Sequence, residues 1–202
     1  MKIFFTRHGE SEANILRIIS NRDLPHHLTE KGITQAQMLA ETLRKCSIMK
    51  IYCSPIPRAR QTAEIIALEL GVPSQVEDAL REFDCGEMEG RGDPEALAAH
   101  RAVMEAWLTK QNTLARIPPD GESYEDMKGR FLPFIQQLLG KGEDVLLITH
   151  GALLLNMLPL VLTNIDDAFC QSHLLGNCEL VVAETNTSGL VCKNWAGKKI
   201  SL

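Results

Sequence analysis

The sequence predicts an α/β fold: a three-layer sandwich whose mostly parallel central sheet is flanked by helices. Three observations carry this. Apolar runs at Ile3 to Phe5, Met49 to Cys53 and Val145 to Thr149 each end in basic or polar residues: Arg7-His8-Gly9, Ser54-Pro55 followed by Arg58, and His150-Gly151. Strands that all empty into polar residues at their C-terminal ends are those of an open sheet with a pocket along that edge. The segments between them carry apolar residues at helical spacing. Val145 to Thr149 is almost continuously apolar, as befits a strand covered by helices on both faces.

In chain order, Ile3 to Phe5 is the first strand and Arg7 to Leu28 reads as a loop. Its stretch Asn21-Arg-Asp-Leu-Pro-His-His27 is rich in side chains able to contact a ligand. His26 and His27 are expected in solvent, because adjacent side chains point in different directions, whereas Arg22 lies where a loop can reach over the pocket mouth. Ile33, Ala36, Ala40 and Leu43 make Glu30 to Cys46 an amphipathic helix. After the second strand, Ser54 as N-cap and Pro55 at the first helical position start a helix whose stripe Ala59, Ala63, Ile66, Leu70 stops at Gly71. This helix begins at the pocket, so its free N–H groups and positive dipole end favour an anion there. Arg58 adds a full charge, and Arg60 points to the surface.

A short strand at Val72 to Val76 leads into the acidic segment Leu80 to Gly90. Asp93-Pro94 caps a helix running to about Lys110, Gln111 to Asp120 is a loop, and Ser123 with an acid three residues later opens a helix to about Leu139. Met127, Phe131, Phe134, Ile135 and Leu138 form its apolar side, and Pro133 is expected to kink it, less so because the residue four back is Gly129. After a helix over Ala152 to Leu162, Gly176 to Ala183 and Leu190 to Trp195 flank Thr187-Ser188-Gly189 as an antiparallel hairpin at the sheet edge.

A chain of 202 residues with 45% hydrophobic content fits one domain, 1–202, with its own core. The net charge of −5, with no dense Lys/Arg cluster, argues against a nucleic-acid partner. Polarity at Thr6 comes too early for a signal peptide, and Ala152 to Leu162 is too short to span a bilayer, so no membrane partner is expected. Six cysteines without CxxC or zinc-type spacing read as reduced thiols in a cytoplasmic protein. A homodimer is compatible with the sequence, which does not speak to oligomeric state.

Six motifs stand in order along the chain: Thr6-Arg-His-Gly-Glu10; Leu28-Thr29-Glu-Lys-Gly32; Ser54-Pro55 with Arg58-Ala59 and Gln61-Thr62-Ala63; Leu80-Arg-Glu82 with Gly86-Glu87 and Glu89-Gly90; Gly121-Glu-Ser123; and Thr149-His-Gly151. Over essentially the whole chain this resembles the histidine phosphatase superfamily, the phosphoglycerate mutase-like family, in its phosphatase branch. The resemblance implies a phosphoglycerate mutase-like fold with a helical cap insertion, about 91–120, over the pocket. It implies His8 as a nucleophile forming a phosphohistidine, and Glu82 as the carboxyl that protonates the leaving alkoxide and then takes a proton from the attacking water. Glu87 and Glu89 are lesser candidates for that carboxyl.

Arg7, Arg58 and His150 are expected to hold the phosphate, arginine's planar fork matching its oxygens. Flanking arginines would keep His8 neutral and nucleophilic, with its other ring nitrogen on an acceptor that the sequence does not reveal. Asn14, Arg22 and Gly151 are expected as further substrate contacts. In the cap, His100, Arg101, Trp107 and Arg116 are candidates, with Trp107 better read as core beside Met104 and Leu97.

The expected activity is thus that of a metal-independent hydrolase acting on small-molecule phosphomonoesters, with no cofactor. Three rivals stand beside it. A metal site lacks HExxH or comparable ligand spacing, and two arginines would repel a cation. A phosphoglycerate mutase would use the same core residues, but the mutase branch is longer and carries Glu-Arg-His-Tyr where this chain has Glu82-Phe83-Asp84-Cys85. A noncatalytic phospho-ligand module would be expected to lose the nucleophile or the acid. Sugar phosphates, phosphoglycerates, phosphoserine, nucleoside phosphates and ribazole phosphate all remain open as substrates, and Met88 stands where relatives often carry an aromatic residue.

Overall fold

A computed structural model describes residues 1–200, so the last two residues of the expected 1–202 domain lie outside the described part. The elements are β1 (Lys2–Arg7), α1 (Glu12–Leu16), α2 (Glu30–Leu43), β2 (Lys50–Cys53), α3 (Pro57–Leu70), β3 (Ser74–Val76), α4 (Pro94–Leu108), α5 (Tyr124–Lys141), β4 (Val145–Thr149), α6 (Gly151–Val161), α7 (Asp167–Ser172), β5 (Leu180–Asn186), β6 (Gly189–Trp195) and β7 (Lys198–Lys199). The sheet order is β3-β2-β4-β1-β5-β6-β7. β1 to β4 pair in parallel and β5 to β7 antiparallel, so the sheet is mixed, with parallel pairing confined to the half that carries the strand-end residues.

Strand periodicity divides the core into two layers. Ile3, Phe5, Tyr52, Val145 and Leu147 face one side, where α5 and α6 contribute Met127, Phe131, Leu138, Leu154 and Met157. Phe4, Ile51, Cys53, Leu146 and Ile148 face the other, against Leu39, Ala40, Leu43, Ala59, Ala63 and Ile66 of α2 and α3. Each fully buried aliphatic side chain contributes roughly 1.5–3 kcal/mol, and both faces of β4 are used this way. The three-layer expectation holds.

Several local expectations change. The stripe of α2 runs through Gly32, Ala36, Leu39, Ala40 and Leu43, while Ile33 is 40% exposed. Gly32 faces inward because a Cβ there would lie 2.0 Å from the Glu10 carbonyl oxygen, and one on Gly9 would lie 2.5 Å from the Gly32 carbonyl. The start of α2 therefore packs backbone against backbone on the loop that carries His8. α3 starts at Pro57, not Pro55, with Ile56 at the N-cap, because the Ser54 hydroxyl is engaged elsewhere. It ends at Gly71, in the left-handed region with φ +66°.

The expected loop 7–28 contains α1, capped by Ser11 and Asn14, a pairing that the usual Glu/Gln rule does not flag. The hairpin β5/β6 is not itself the edge. β5 pairs with β1, and the edge is β7, two exposed lysines whose shortness and charge discourage further strand pairing.

Candidate active site

The C-terminal ends of β1 and β4, the first turn of α3 and the segment after β3 converge on a cavity of about 430 Å³. Its floor holds Arg7, His8, Arg58 and Glu82, with Asn14, Asn21 and Gly151 beside them. His8 is buried, and both of its ring nitrogens have partners. Nδ1–H donates to the Gly9 carbonyl at 2.7 Å, which fixes the tautomer and leaves the Nε2 lone pair to accept from Arg58 Nε at 2.8 Å. Burial first, then the charges of Arg58 and Arg7, hold the imidazole well below its ordinary pKa and therefore neutral.

Arg58 is held from several sides. It donates to the Ser20 carbonyl, to Asn21 Oδ1 at 3.4 Å and to His150 Nδ1 at 3.2 Å. Burial lowers its pKa to about 10, with Arg7 adding to the effect and Glu82 opposing it, and it remains a cation at neutral pH. Arg7 reaches the Leu175 carbonyl at 3.2 Å, yet its Nε is buried with no partner. An unmade hydrogen bond of this kind costs roughly 1–3 kcal/mol.

Glu82, 8% exposed, lies across the N-terminus of α6. Its Oε2 accepts from Ala152 N–H at 2.8 Å, and its Oε1 accepts from Leu153 N–H at 2.9 Å and from its own neighbour Phe83 N–H at 3.2 Å. Burial raises its pKa, while these backbone donors and Arg58 pull the other way. Desolvation is the larger effect, so a proton is retained to higher pH than on an ordinary glutamate. The expectation that α3 begins at the site is met by Arg58 in its first turn, and the N-terminus of α6 lies there too, occupied by a carboxyl of the chain itself.

The other expected residues divide. His150 comes close to His8, with ring centroids 5.1 Å apart, but is fully buried behind Arg58. Its Nδ1 accepts from Arg58, which leaves Nε2–H to donate to Ser54 Oγ at 2.8 Å, so in this arrangement it positions Arg58. Its pKa also lies well below the ordinary value, through burial and then Arg58. Asn14 lines the cavity, its Oδ1 accepting from Ser11 N–H and from Asn177 at 3.4 Å. Gly151 lies against Arg7, where a Cβ would sit 3.5 Å from Nε.

Arg22 is not on the cavity wall. Asp84 binds it in a bidentate pair at 2.7 and 2.8 Å, and Asp120 binds it at 3.2 Å, so it ties two loops together. In the cap, His100 lines the cavity and lies 5.1 Å from the Phe83 ring, whereas Arg101 stays outside. Trp107 is fully buried, edge-on to Phe83 with its Nε1–H on the Ala115 carbonyl, and Arg116 pairs with Asp126 at 3.1 Å. Glu89 is bound to the N–H groups of Asn21 and Cys85, while Glu87 is exposed and away from the cavity. His26 and His27 bond to Ser20 and Gln61, also away from it.

Sequence reasoning missed Ser54, Thr62, Asn21 and Asn177. Thr62 Oγ1 accepts from Gly9 N–H at 3.1 Å, and Asn177 donates to the His8 carbonyl at 2.8 Å. Asn21 lay within the stretch marked as ligand-rich. Asn177 gave no signal, being a turn residue 169 positions away from its partner. Among the described residues no group of three or more His, Cys, Asp or Glu could hold a metal ion, and no helix is long and apolar enough to cross a membrane.

A neutral imidazole with a directed lone pair, two arginines and a carboxyl whose pKa burial raises, all at one strand edge, define an α/β enzyme that works on phosphate esters. The family model agrees: the chain belongs to the histidine phosphatase superfamily (branch 1), matched over residues 3–197, and is an enzyme of the phosphatase type. It is 31% identical over 166 residues to the adenosylcobalamin/alpha-ribazole phosphatase of Salmonella typhimurium, covering 81% of this chain and 80% of that one. It is 32% identical over 202 residues to a Proteus mirabilis protein named "Probable phosphoglycerate mutase GpmB", covering 96% and 90%. The solved structure of Bacillus stearothermophilus YhfR superposes with a TM-score of 0.80 at 26% identity, covering 99% of this chain and 98% of that one.

Proposed function

We propose that the protein is a metal-independent phosphomonoesterase that hydrolyses small phosphorylated metabolites through a phosphohistidine on His8. The observation that carries this is the His8 ring, whose Nδ1–H is tied to Gly9 and whose Nε2 lone pair faces the cavity floor beside Arg58. An entering phosphate dianion takes over the Arg58 Nε–H from His8 and meets the guanidinium of Arg7, which lines the cavity. With Nε2 released, the imidazole attacks phosphorus while the ester P–O bond breaks, and Glu82 gives its proton to the departing alkoxide. Glu82, now a carboxylate, takes a proton from water as that water attacks phosphorus. The P–N bond breaks, the histidine returns neutral, and inorganic phosphate leaves. The guanidiniums stabilise the equatorial oxygens in both steps.

A second reading, in which the phosphoryl group returns to a substrate as in a mutase, is favoured by one observation: a relative named as a mutase covers 96% of the chain. Against it stands the absence of the Glu-Arg-His-Tyr segment. The test is phosphate release from a panel of phosphomonoesters with EDTA present, comparing wild type with His8→Ala. Release by wild type alone supports the hydrolase. Transfer between phosphoglycerate positions without release would replace it with the mutase, and loss of release in EDTA would restore a metal mechanism.

A further inference from the structure

From the wall of the cavity beyond the phosphate floor we infer that the substrate's leaving group is a bulky, largely apolar alcohol rather than a carboxylate-bearing or polyhydroxylated one. This rests on the phosphatase reading above. A cavity of about 430 Å³ is far larger than a phosphate group, so most of it receives the leaving group. Leu97, His100 and Met104 project into it from one face of α4, at intervals of three and four residues. Ile18, Leu155 and Leu174 line it from three other segments. Ile18, Leu97, Met104 and Leu155 are all half-buried, and Leu174 is 68% exposed, so their apolar surface faces the cavity without being covered by the protein.

Apart from Arg17, His100 and the Asn14 amide N–H groups, most polar groups on the wall are already committed. Asn21 donates to the Phe83 carbonyl and accepts from Arg58. Ser20 Oγ bonds to His26, and its carbonyl accepts from Arg58. His173 lies flat against Phe169, 4.1 Å between centroids, with Nδ1 on the Phe169 carbonyl. Both Glu82 oxygens accept from backbone donors.

A sugar or glycerate entering this space would lose water from its hydroxyls and find few partners to replace it. Arg17, at the rim, is the cation nearest to serving a substrate carboxylate, but it is exposed, where pairing is screened by water. An aryl or alkyl body instead covers apolar wall that now faces solvent.

The test compares kcat/KM for 2-phenylethyl phosphate with that for glycerol 3-phosphate and 3-phosphoglycerate. All three leave as primary alkoxides, so chemical reactivity is nearly matched and the difference reports the pocket. A preference for 2-phenylethyl phosphate of roughly tenfold or more is expected. Leu155→Gln and Met104→Gln should each narrow that ratio, which is internal to one protein sample and so insensitive to partial unfolding. Equal or inverted preference with hydrolysis intact overturns the inference and leaves the phosphatase standing, as does a ratio that neither substitution changes. If none of the three is hydrolysed, calorimetric binding of the same esters decides this inference, and the panel above decides the phosphatase reading. Tighter binding of 2-phenylethyl phosphate upholds the apolar site, and equal or weaker binding overturns it.

Discussion

Replacing Glu82 with glutamine separates proton transfer from every other function of the site. The side chain keeps its shape and one acceptor oxygen, but its NH2 group now meets either Ala152 N–H or Leu153 N–H, which stand 2.8 and 2.9 Å from the carboxyl oxygens. Leaving one buried donor unpaired costs about 1–3 kcal/mol. For a chain of this size that lowers the melting temperature by roughly 2–4 °C per kcal/mol, so the variant should remain folded at assay temperature. The catalytic loss depends on the ester.

An alkyl phosphate must leave as a protonated alcohol, so in the proposed mechanism formation of the phosphohistidine should slow by about 10²–10⁴-fold. The nitrophenolate of p-nitrophenyl phosphate leaves without a proton, so the same step should be nearly unaffected and only the water attack should slow. Quenched-flow measurement on Glu82→Gln should therefore show a burst of nitrophenolate equal to the enzyme concentration, followed by slow turnover, and no burst with the alkyl ester. Equal slowing of the first step with both esters would refute Glu82 as the proton donor and reduce it to a support for α6.

The histidines predict a pH dependence of stability. His8 and His150 have lowered pKa values, chiefly through burial, so their contribution is complete above the ordinary value of about 6.5 and is lost as pH falls below it. The slope is up to about 1.4 kcal/mol per pH unit for each histidine. Glu82, raised by burial, acts in the opposite sense, with a contribution present below its unfolded pKa and lost as pH rises through the folded one. Urea titrations of Glu82→Gln should therefore fall more steeply on acidification than those of wild type, and a flat profile in both would contradict buried neutral imidazoles. Gly32→Ala should destabilise the chain by more than about 1 kcal/mol and slow turnover, because its Cβ would press on the Glu10 carbonyl beside the His8 loop; thermal melts and kcat check both. Arg22→Ala should leave KM within about twofold while lowering the melting temperature, since Arg22 bonds to Asp84 and Asp120; a large rise in KM would return it to the substrate site.

The sequence by itself determined the parts of this protein that depend on local order. Period-two and helical patterning sufficed for the layers, because each strand must bury one or both faces wherever it lies in the sheet. The strand-end residues Arg7, His8 and His150 were legible because strand direction sends their loops to one edge. Glu82 was legible only through resemblance. Tertiary structure alone decided what depends on distant partners: that Ser54 turns from capping α3 to holding His150, that Asn177 reaches the His8 carbonyl, that Arg22 closes on Asp84, and that His150 stands behind Arg58 instead of on the cavity wall. Each of these is a hydrogen bond or ion pair between segments far apart in the chain. A side chain's partner is the donor or acceptor that folding brings within about 3 Å, and no spacing along the sequence encodes that distance.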